Sequence, residues 1–292
     1  MRVAVLGASG GMGSFFVRYF LEKGDMVRGS DPGKGRSGHK ASGGKVAYYK
    51  TNAEAVRGCD VTVLAVPMDR TLEVAREVAA KLKPGSALVE ISSVKGETLP
   101  ALRKLGRGEA VELLSIHPLF GPALESTKGM KIAVIVGKNG GAEDRETALA
   151  RRLFPEARII PMSRKEHDRT MAVVLSLTHL LNVVYAGTVS QFLSPDEFMK
   201  VSTPNSSMQL TLAEAVLAQD ARLSYAIQSY NPYSKKVARA ASRELKRVLA
   251  MIESSDGGAF DEHFSKLSKR YKTDERGSAV IREIYSAAEK AA

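Results

Sequence analysis

The chain has 292 residues, 44% of them hydrophobic and 26% charged, with a formal net charge of +11. This composition excludes an intrinsically disordered chain, and the length fits one large domain or two ordinary ones. The single cysteine, Cys59, excludes an internal disulfide and a multi-cysteine metal site, and no other metal site is predicted.

Short apolar runs rich in β-branched residues alternate with helical periodicity in the first half of the chain. The predicted strands are residues 2–6, 26–31, 60–66, 87–91, 112–116, 131–136 and 158–162. The helices predicted between them include residues 15–23, 71–83 and 142–154. This alternation is typical of βαβ units, so we predict an α/β fold class with a mainly parallel sheet in an N-terminal, Rossmann-type dinucleotide-binding domain.

After residue 162 only helical periodicity remains. The predicted helices are residues 165–193, 205–229, 234–253, 258–272 and 278–291. We therefore predict two domains, a dinucleotide-binding domain over residues 1–162 and an all-α domain over residues 163–292. A stretch rich in Gly, Ser and Lys, residues 33–45, is predicted to be a loop.

The basic residues are scattered, and their densest cluster lies on the predicted helix 234–253. No aromatic side chains interleave with that cluster as they do in many nucleic-acid-binding surfaces. The most apolar stretch, residues 171–189, contains polar side chains such as Ser176, Thr178, His179 and Asn182, and is predicted to be a buried helix rather than a membrane span. No leader-like segment is recognisable. We expect a cytoplasmic protein that binds neither nucleic acid nor membrane.

A glycine cluster, GASGGMG at residues 7–13, follows the first predicted strand and opens the first helix. Glycines at this place permit a tight turn and let backbone N–H groups approach a pyrophosphate at the positive end of the helix. A plain strand-to-helix turn is the alternative. The residues predicted to bind the cofactor here are Gly7, Ser9, Gly10, Gly11, Met12 and Gly13.

Asp31 ends the second predicted strand and is the other predicted cofactor contact. A carboxylate there accepts hydrogen bonds from the adenosine ribose and repels a 2′-phosphate, which favours NAD. NADP stays possible because Ser30, Lys34 and Arg36 would surround that phosphate if the next loop folds back. A further alternative is that Asp31 only begins an Asp-Pro turn with Pro32.

Polar side chains follow two of the buried strands. Ser92 and Ser93 leave the strand at residues 87–91, and His117 leaves the strand at residues 112–116. Because α/β folds hold ligands at the carboxyl ends of parallel strands, His117 is a candidate general acid or base. A structural histidine is the alternative.

Ser176, His179 and Asn182 share one stripe of the predicted helix 165–193. Buried polar groups need partners, so this stripe either pairs internally or faces a ligand cleft, and we favour the cleft. His167 and Asp168, near the start of the same helix, are interpreted as capping or domain-joining residues.

Six segments occur in the order and spacing of a known enzyme family. They are GASGGMG, ISSVKG, SIHPLFGP, EHDRTMAVVLSLTHLL, STPNSSMQL and LAQD. Together they span nearly the whole chain, which resembles the prephenate/arogenate dehydrogenase family, above all its stand-alone archaeal-type members. The resemblance implies an oxidoreductase of tyrosine biosynthesis. Such an enzyme oxidatively decarboxylates prephenate to 4-hydroxyphenylpyruvate, or arogenate to tyrosine, with NAD or NADP, and forms a homodimer through its helical domain.

The same resemblance implies roles for single residues. His117 matches the proton acceptor, Ser93 the serine that orients the hydroxyl and the histidine, and His179 a second histidine that helps to bind substrate. The substrate is a small anion, and its remaining predicted contacts are Ser92, Lys95, Asn182 and Ser207.

One departure from the family concerns the anion. Many members carry an arginine in the segment that matches residues 202–210, where this chain has Ser207 and no Arg or Lys. Either another cation, such as Lys95 or Arg169, supplies the charge, or the substrate differs.

Other enzymes on the same scaffold are the main alternative, either β-hydroxyacid dehydrogenase-like or deazaflavin/NADP reductase-like. The first class typically places a catalytic Lys on the helix after the nucleotide domain, and residues 170–193 contain no lysine. A deazaflavin/NADP reductase-like enzyme would agree well with the glycine spacing but less well with the histidine segments. A redox-sensing or nucleic-acid-binding protein is the non-enzymatic alternative, which the combination of His117, Ser93 and His179 disfavours.

Overall fold

The computed structural model describes residues 1–31, 46–96, 98–108, 111–124, 126–137, 144–271 and 275–291. The chain forms two compact units, Met1–Met171 with Tyr230–Pro232, and Ala172–Ser229 with Tyr233–Ala292. The first unit extends to Met171 because a helix, Arg164–Met171, packs on its last two strands. The domain boundary predicted after residue 162 lies just before this helix and stays a prediction.

A single sheet forms the centre of the first unit. Its strands are β1 (Arg2–Leu6), β2 (Met26–Ser30), β3 (Val46–Tyr49), β4 (Val61–Leu64), β5 (Ala87–Glu90), β6 (Glu112–Pro118), β7 (Lys131–Val136) and β8 (Arg158–Ser163). Their order is β3-β2-β1-β4-β5-β6-β7-β8, and neighbours are parallel except β6 and β7. This confirms the predicted α/β class. The strand order reverses at β1, so ligands are expected at the carboxyl ends of β1 and β4.

Helices cover both faces of this sheet. They are α1 (Gly11–Glu22), α2 (Asn52–Val56), α3 (Thr71–Val78), α4 (Thr98–Gly108), α5 (Arg145–Leu153) and α6 (Arg164–Met171). On one face, Phe15, Phe16, Phe20 and Phe154 are buried together. Each such ring stabilises the fold by roughly 1.5–3 kcal/mol. Burial on both faces explains why the strands read as continuous apolar runs.

The second unit is helical throughout its described residues. It begins with a π-helical segment, Ala172–Leu177. Its α-helices are α7 (Thr178–Val189), α8 (Pro195–Val201), α9 (Pro204–Leu217), α10 (Ala221–Tyr230), α11 (Ser234–Glu253), α12 (Gly257–Arg270) and α13 (Glu275–Ala291). The single helix predicted over residues 205–229 is therefore wrong. The helix is interrupted at Asp220. The Asp220 carboxylate accepts a hydrogen bond from the N–H of Arg222 at 2.8 Å, and a new helix begins there.

The apolar stretch predicted to be a buried helix is largely exposed on this chain. By length and composition alone, the continuous helix Arg164–Val189 could cross a membrane, and only 22% of its most apolar window is buried. Its polar stripe is buried, whereas Val174, Leu181 and Val184 are 60%, 49% and 47% exposed. This reverses the usual arrangement of a helix in a globular protein and marks the apolar face as a candidate interaction surface.

Candidate active site

The turn after β1 has the shape of a pyrophosphate cradle. Gly7 has a φ of +81°, a conformation that strains residues with a side chain. A Cβ atom on Gly13 would lie 1.9 Å from the carbonyl oxygen of Gly7, so α1 approaches the strand too closely for any other residue. Because the N-cap of α1 is Gly10, no side chain occupies the N–H groups of its first turn. These residues fit a dinucleotide phosphate.

Asp31 lies beside this cradle. Its Oδ2 atom accepts a hydrogen bond from the Ser9 hydroxyl and another from the Ser9 N–H at 3.3 Å. One carboxylate oxygen therefore holds the glycine turn while the other has no such contact among the described residues. The positions of Pro32, Lys34 and Arg36, and of the loop predicted at residues 33–45, lie outside the described residues.

A fully buried ion pair lies beneath the ends of β5 and β6. Lys95 donates from Nζ to both carboxylate oxygens of Glu90, at 3.1 and 2.9 Å, and to the carbonyl of Ile116 at 2.7 Å. Glu90 also accepts hydrogen bonds from the hydroxyls of Ser115, at 2.6 Å, and Ser92. Lys95 and Glu90 are each 1% exposed. All three ammonium protons have acceptors within the protein, so these contacts favour a structural role for Lys95, and its predicted contact with substrate stays a prediction.

His117 is the first member of a buried hydrogen-bonded chain. Its Nδ1 lies 3.0 Å from Nε2 of His167, and Nδ1 of His167 lies 2.9 Å from Oδ1 of Asp168. The Asp168 carboxylate also accepts the N–H groups of Lys95 at 3.0 Å and Gly96 at 2.9 Å. The three side chains are 5%, 0% and 2% exposed. The structure therefore brings His117 together with two residues that the sequence analysis interprets as capping or domain-joining residues.

The surroundings of both histidines favour their neutral forms. Burial, together with the nearby His167 and Lys95, lowers the pKa of His117 well below its usual value of 6.5. Burial also lowers the pKa of His167, against the opposing effect of Asp168. Burial alone would raise the pKa of Asp168, but hydrogen bonds from His167 and from two backbone N–H groups outweigh it and lower the pKa. A neutral imidazole beside an ionised carboxylate is suited to accept a proton.

Ser93, the predicted orienting serine, is partly exposed, and its hydroxyl has no hydrogen-bond partner within the described part of the chain. His167 occupies the Nδ1 side of His117 instead. Among the described residues, His167 on α6 is therefore the hydrogen-bond partner of the His117 ring, and the role predicted for Ser93 stays a prediction.

The second unit holds the remaining predicted residues. His179 is 7% exposed and its Nδ1 has no partner among the described residues, and burial lowers its pKa. The amide oxygen of Asn182 accepts a hydrogen bond from Gln209 at 2.9 Å, and the hydroxyl of Ser207 donates to the carbonyl of Pro204 at 3.2 Å. Of these three residues, His179 has the clearest free hydrogen-bonding capacity.

Ser176, the remaining polar residue of the stripe, lies in the π-helical segment. The Ser176 hydroxyl donates to Oε1 of Gln228 at 2.7 Å, and Nε2 of Gln228 donates to the Ser176 carbonyl at 2.8 Å. A π-helix changes the register of backbone hydrogen bonding, and Gln228 supplies a side-chain donor to one of its carbonyls. Ser176 thus pairs internally.

Comparisons with known proteins identify both parts of the chain. Residues 17–135 match the family description "Prephenate dehydrogenase, nucleotide-binding domain", and residues 163–266 match "Prephenate dehydrogenase, dimerization domain". A probable arogenate/prephenate dehydrogenase of Methanocaldococcus jannaschii is 26% identical over 97% of this chain, which spans 66% of that protein. A 4-amino-4-deoxyprephenate dehydrogenase of Streptomyces pristinaespiralis is 25% identical over 91% of this chain and 90% of its own length.

Among solved structures, the prephenate dehydrogenase of Aquifex aeolicus in complex with hydroxyphenyl propionate and NAD+ has the same fold. Its TM-score is 0.75 at 17% identity, covering 94% of this chain and 98% of that chain. The fold agreement joins the two domain matches, and with them the predicted family is confirmed. The chain therefore belongs to the prephenate dehydrogenase family, with a nucleotide-binding domain followed by a dimerization domain.

Proposed function

We propose that this protein catalyses the oxidative decarboxylation of prephenate or arogenate with NAD, or alternatively NADP, as the hydride acceptor. The observation that carries this proposal is the buried His117, held by His167 in the unit that also contains the glycine cradle. The family match and the relatives named for prephenate and arogenate support the same reaction.

When bound, the nicotinamide cofactor supplies the hydride acceptor. The glycine cradle and Asp31 hold the cofactor, and His117 takes the proton of the substrate hydroxyl on its Nε2 atom. Ser93 is the proposed hydrogen-bond partner of that hydroxyl, and His179 a proposed substrate ligand. Loss of CO2 needs no separate catalytic group because the ring becomes aromatic.

The ring carboxylate of the substrate needs a positive partner. Many family members supply an arginine from the segment that matches residues 202–210, where this chain has no Arg or Lys. Lys95 is occupied by Glu90, which leaves Arg169 on α6, an exposed residue, as the proposed cation. Ser92 is likewise bound to Glu90, so we assign it to support of the strand end rather than to substrate.

The experiment that tests the reaction is a rate assay with purified protein, following reduced nicotinamide. Prephenate, arogenate and 4-amino-4-deoxyprephenate are each combined with NAD and with NADP. A productive pair identifies substrate and cofactor together. No turnover with any pair, while nucleotide still binds, would contradict the proposed function and leave an enzyme of the alternative classes.

Asp31→Ala is expected to weaken NAD binding by roughly 10- to 100-fold, because a hydrogen bond to a charged group contributes about 1.5–3 kcal/mol. NADP binding should weaken less or improve, since the carboxylate no longer repels the 2′-phosphate. Titration calorimetry with each nucleotide measures both constants. Asp261→Ala, at an exposed site in α12, is the matched control. Equal weakening of both nucleotides would reduce Asp31 to a residue that only holds the turn through Ser9.

We also propose a homodimer that buries the exposed apolar face of the π-helical segment and α7, in a cytoplasmic enzyme without nucleic-acid or membrane partners. This face comprises Val173, Val174, Leu181, Val183 and Val184, each at least 42% exposed. It lies within the segment that matches the dimerization domain.

Leu181→Glu combined with Val184→Glu is expected to convert the dimer to a monomer, because two buried carboxylates without partners oppose association. Light scattering gives the mass, and circular dichroism shows whether the helices persist. Lys246→Glu, on the exposed face of α11, is the control and should remain dimeric. A dimer of unchanged mass in the double variant would place the interface elsewhere.

A further inference from the structure

The hydrogen-bonded chain from His117 to Asp168 has a defined direction. Asp168 accepts two backbone N–H groups, and an ionised carboxylate offers only acceptors, so Nδ1 of His167 carries the proton of their shared bond. The Nε2 atom of a neutral His167 is then an acceptor. The Nδ1 atom of His117 must donate to it, which leaves the lone pair of His117 on Nε2.

The hydrogen-bonded chain of side chains from His117 to Asp168 is also closed to solvent. His167 is fully buried and Asp168 is 2% exposed. Beyond Asp168 the chain ends on the N–H groups of Lys95 and Gly96, while Nδ2 of Asn231 donates to the Asp168 carbonyl at 2.7 Å. None of these contacts offers a route along which a proton could leave for water.

In the proposed reaction, the substrate hydroxyl proton is held at the site and then returned, so it needs no path to solvent. As the C–H bond breaks and its electron pair departs as hydride to the cofactor, the substrate O–H proton moves to Nε2 of His117 and the ring oxygen becomes a carbonyl. The bond to the ring carboxylate then breaks, its electron pair enters the ring and CO2 leaves. The ring oxygen takes the proton back from Nε2, so the two steps release no proton.

The imidazole of His167 lies between His117 and Asp168. It allows His117 to be neutral before the reaction and its positive charge to be stabilised afterwards. Lys95, Asp168 and Glu90 are the charged groups that act on the two rings. A carboxylate in direct contact with His117 would favour its charged form before the reaction, whereas His167 keeps Asp168 one ring away. Once His117 is charged, its Nδ1 proton can shift towards Nε2 of His167, which brings the positive charge next to Asp168.

We propose that His167 and Asp168 are positioning residues that hold His117 in the tautomer with Nε2 free, and that they stabilise the positive charge while the proton is stored. This inference rests on the proposed function for its second part. The tautomer itself is a property of the protein without substrate, so the two can be tested separately.

The test combines ¹⁵N NMR of histidine-labelled protein with steady-state kinetics. In the wild type, Nδ1 of His117 is expected to give the signal of a protonated nitrogen and Nε2 that of a lone pair, with His117→Asn used for assignment. His167→Phe keeps a ring of similar size but removes the acceptor. It should shift His117 towards the opposite tautomer and lower kcat by roughly 10²-fold, within the range of general acid–base contributions, with nucleotide affinity unchanged.

Two further variants separate positioning from folding. His167→Gln offers an amide oxygen to His117 and an amide N–H to Asp168, so it should restore the tautomer and recover part of kcat. His263→Phe makes the same change at a histidine that pairs with Glu244 in the second unit. It should alter neither the tautomer of His117 nor kcat. A wild-type His117 protonated on Nε2, or full kcat in His167→Phe, would overturn the inference. A wild type inactive on every substrate would instead refute the proposed function, and the NMR signals would still decide the tautomer.

Discussion

His117→Asn is expected to lower kcat by roughly 10²–10⁴-fold, the usual contribution of one general base. The asparagine amide reaches the position of the imidazole Nδ1, so it can still donate to His167, but nothing replaces the Nε2 lone pair. The cradle at Gly7–Gly13 is untouched, and nucleotide affinity should therefore stay within a few-fold of the wild type. Stopped-flow absorbance of reduced nicotinamide at saturating substrate measures the loss.

The pH dependence of the wild type supplies an independent check. Burial and the neighbouring His167 and Lys95 lower the pKa of His117, so the base stays neutral to a lower pH than an exposed histidine would. Activity should accordingly persist below pH 6.5 and fall only further into the acid range. Near-normal turnover of His117→Asn, or an acid limb above pH 6.5, would remove His117 from the mechanism.

Most of the first unit could be predicted from sequence because strands buried on both faces leave an unmistakable apolar signal. Seven of the strands were predicted close to their observed positions. β3 was missed because its four residues, VAYY, are only partly buried at the sheet edge and follow a long polar stretch of sequence. A short edge strand depends on its neighbour, here β2, more than on its own sequence.

The site was predictable only where its residues lie at or just after the ends of strands. His117 and Ser93 stand at strand ends, a position with a known meaning in this class of fold. His167 and Asp168 lie near the start of a predicted helix, where polar residues commonly serve as caps, and the partner of His167, His117, lies 50 residues away in sequence. Periodicity carries no information about such a contact.

Lys95 illustrates a second limit. A lysine in a polar loop is normally exposed, so a ligand role was reasonable. The neglected signal was Glu90, a carboxylate at the end of the apolar strand 87–90. A buried carboxylate needs a positive partner, and Lys95 is the cation nearest to it in sequence.

This pair yields the largest expected effect on stability. Lys95→Met keeps most of the side-chain volume but removes the ammonium, which leaves the 1% exposed carboxylate of Glu90 without its cation. Breaking a buried ion pair from one side costs about 3–5 kcal/mol. Urea unfolding at fixed protein concentration should therefore show a large drop in the midpoint, detected by a probe in the first unit.

The matched control is Lys83→Met, which makes the same change in an ion pair of similar length, 2.7 Å, between Lys83 and Asp60. Those side chains are 52% and 38% exposed. An exposed pair contributes about 0–1 kcal/mol, so this variant should unfold close to the wild type. The double variant Glu90→Gln, Lys95→Met should recover part of the loss, because a neutral amide retains Ser115 as a partner and carries no unpaired charge. If Lys95→Met costs no more than Lys83→Met, the buried pair does not stabilise the strand ends that support His117.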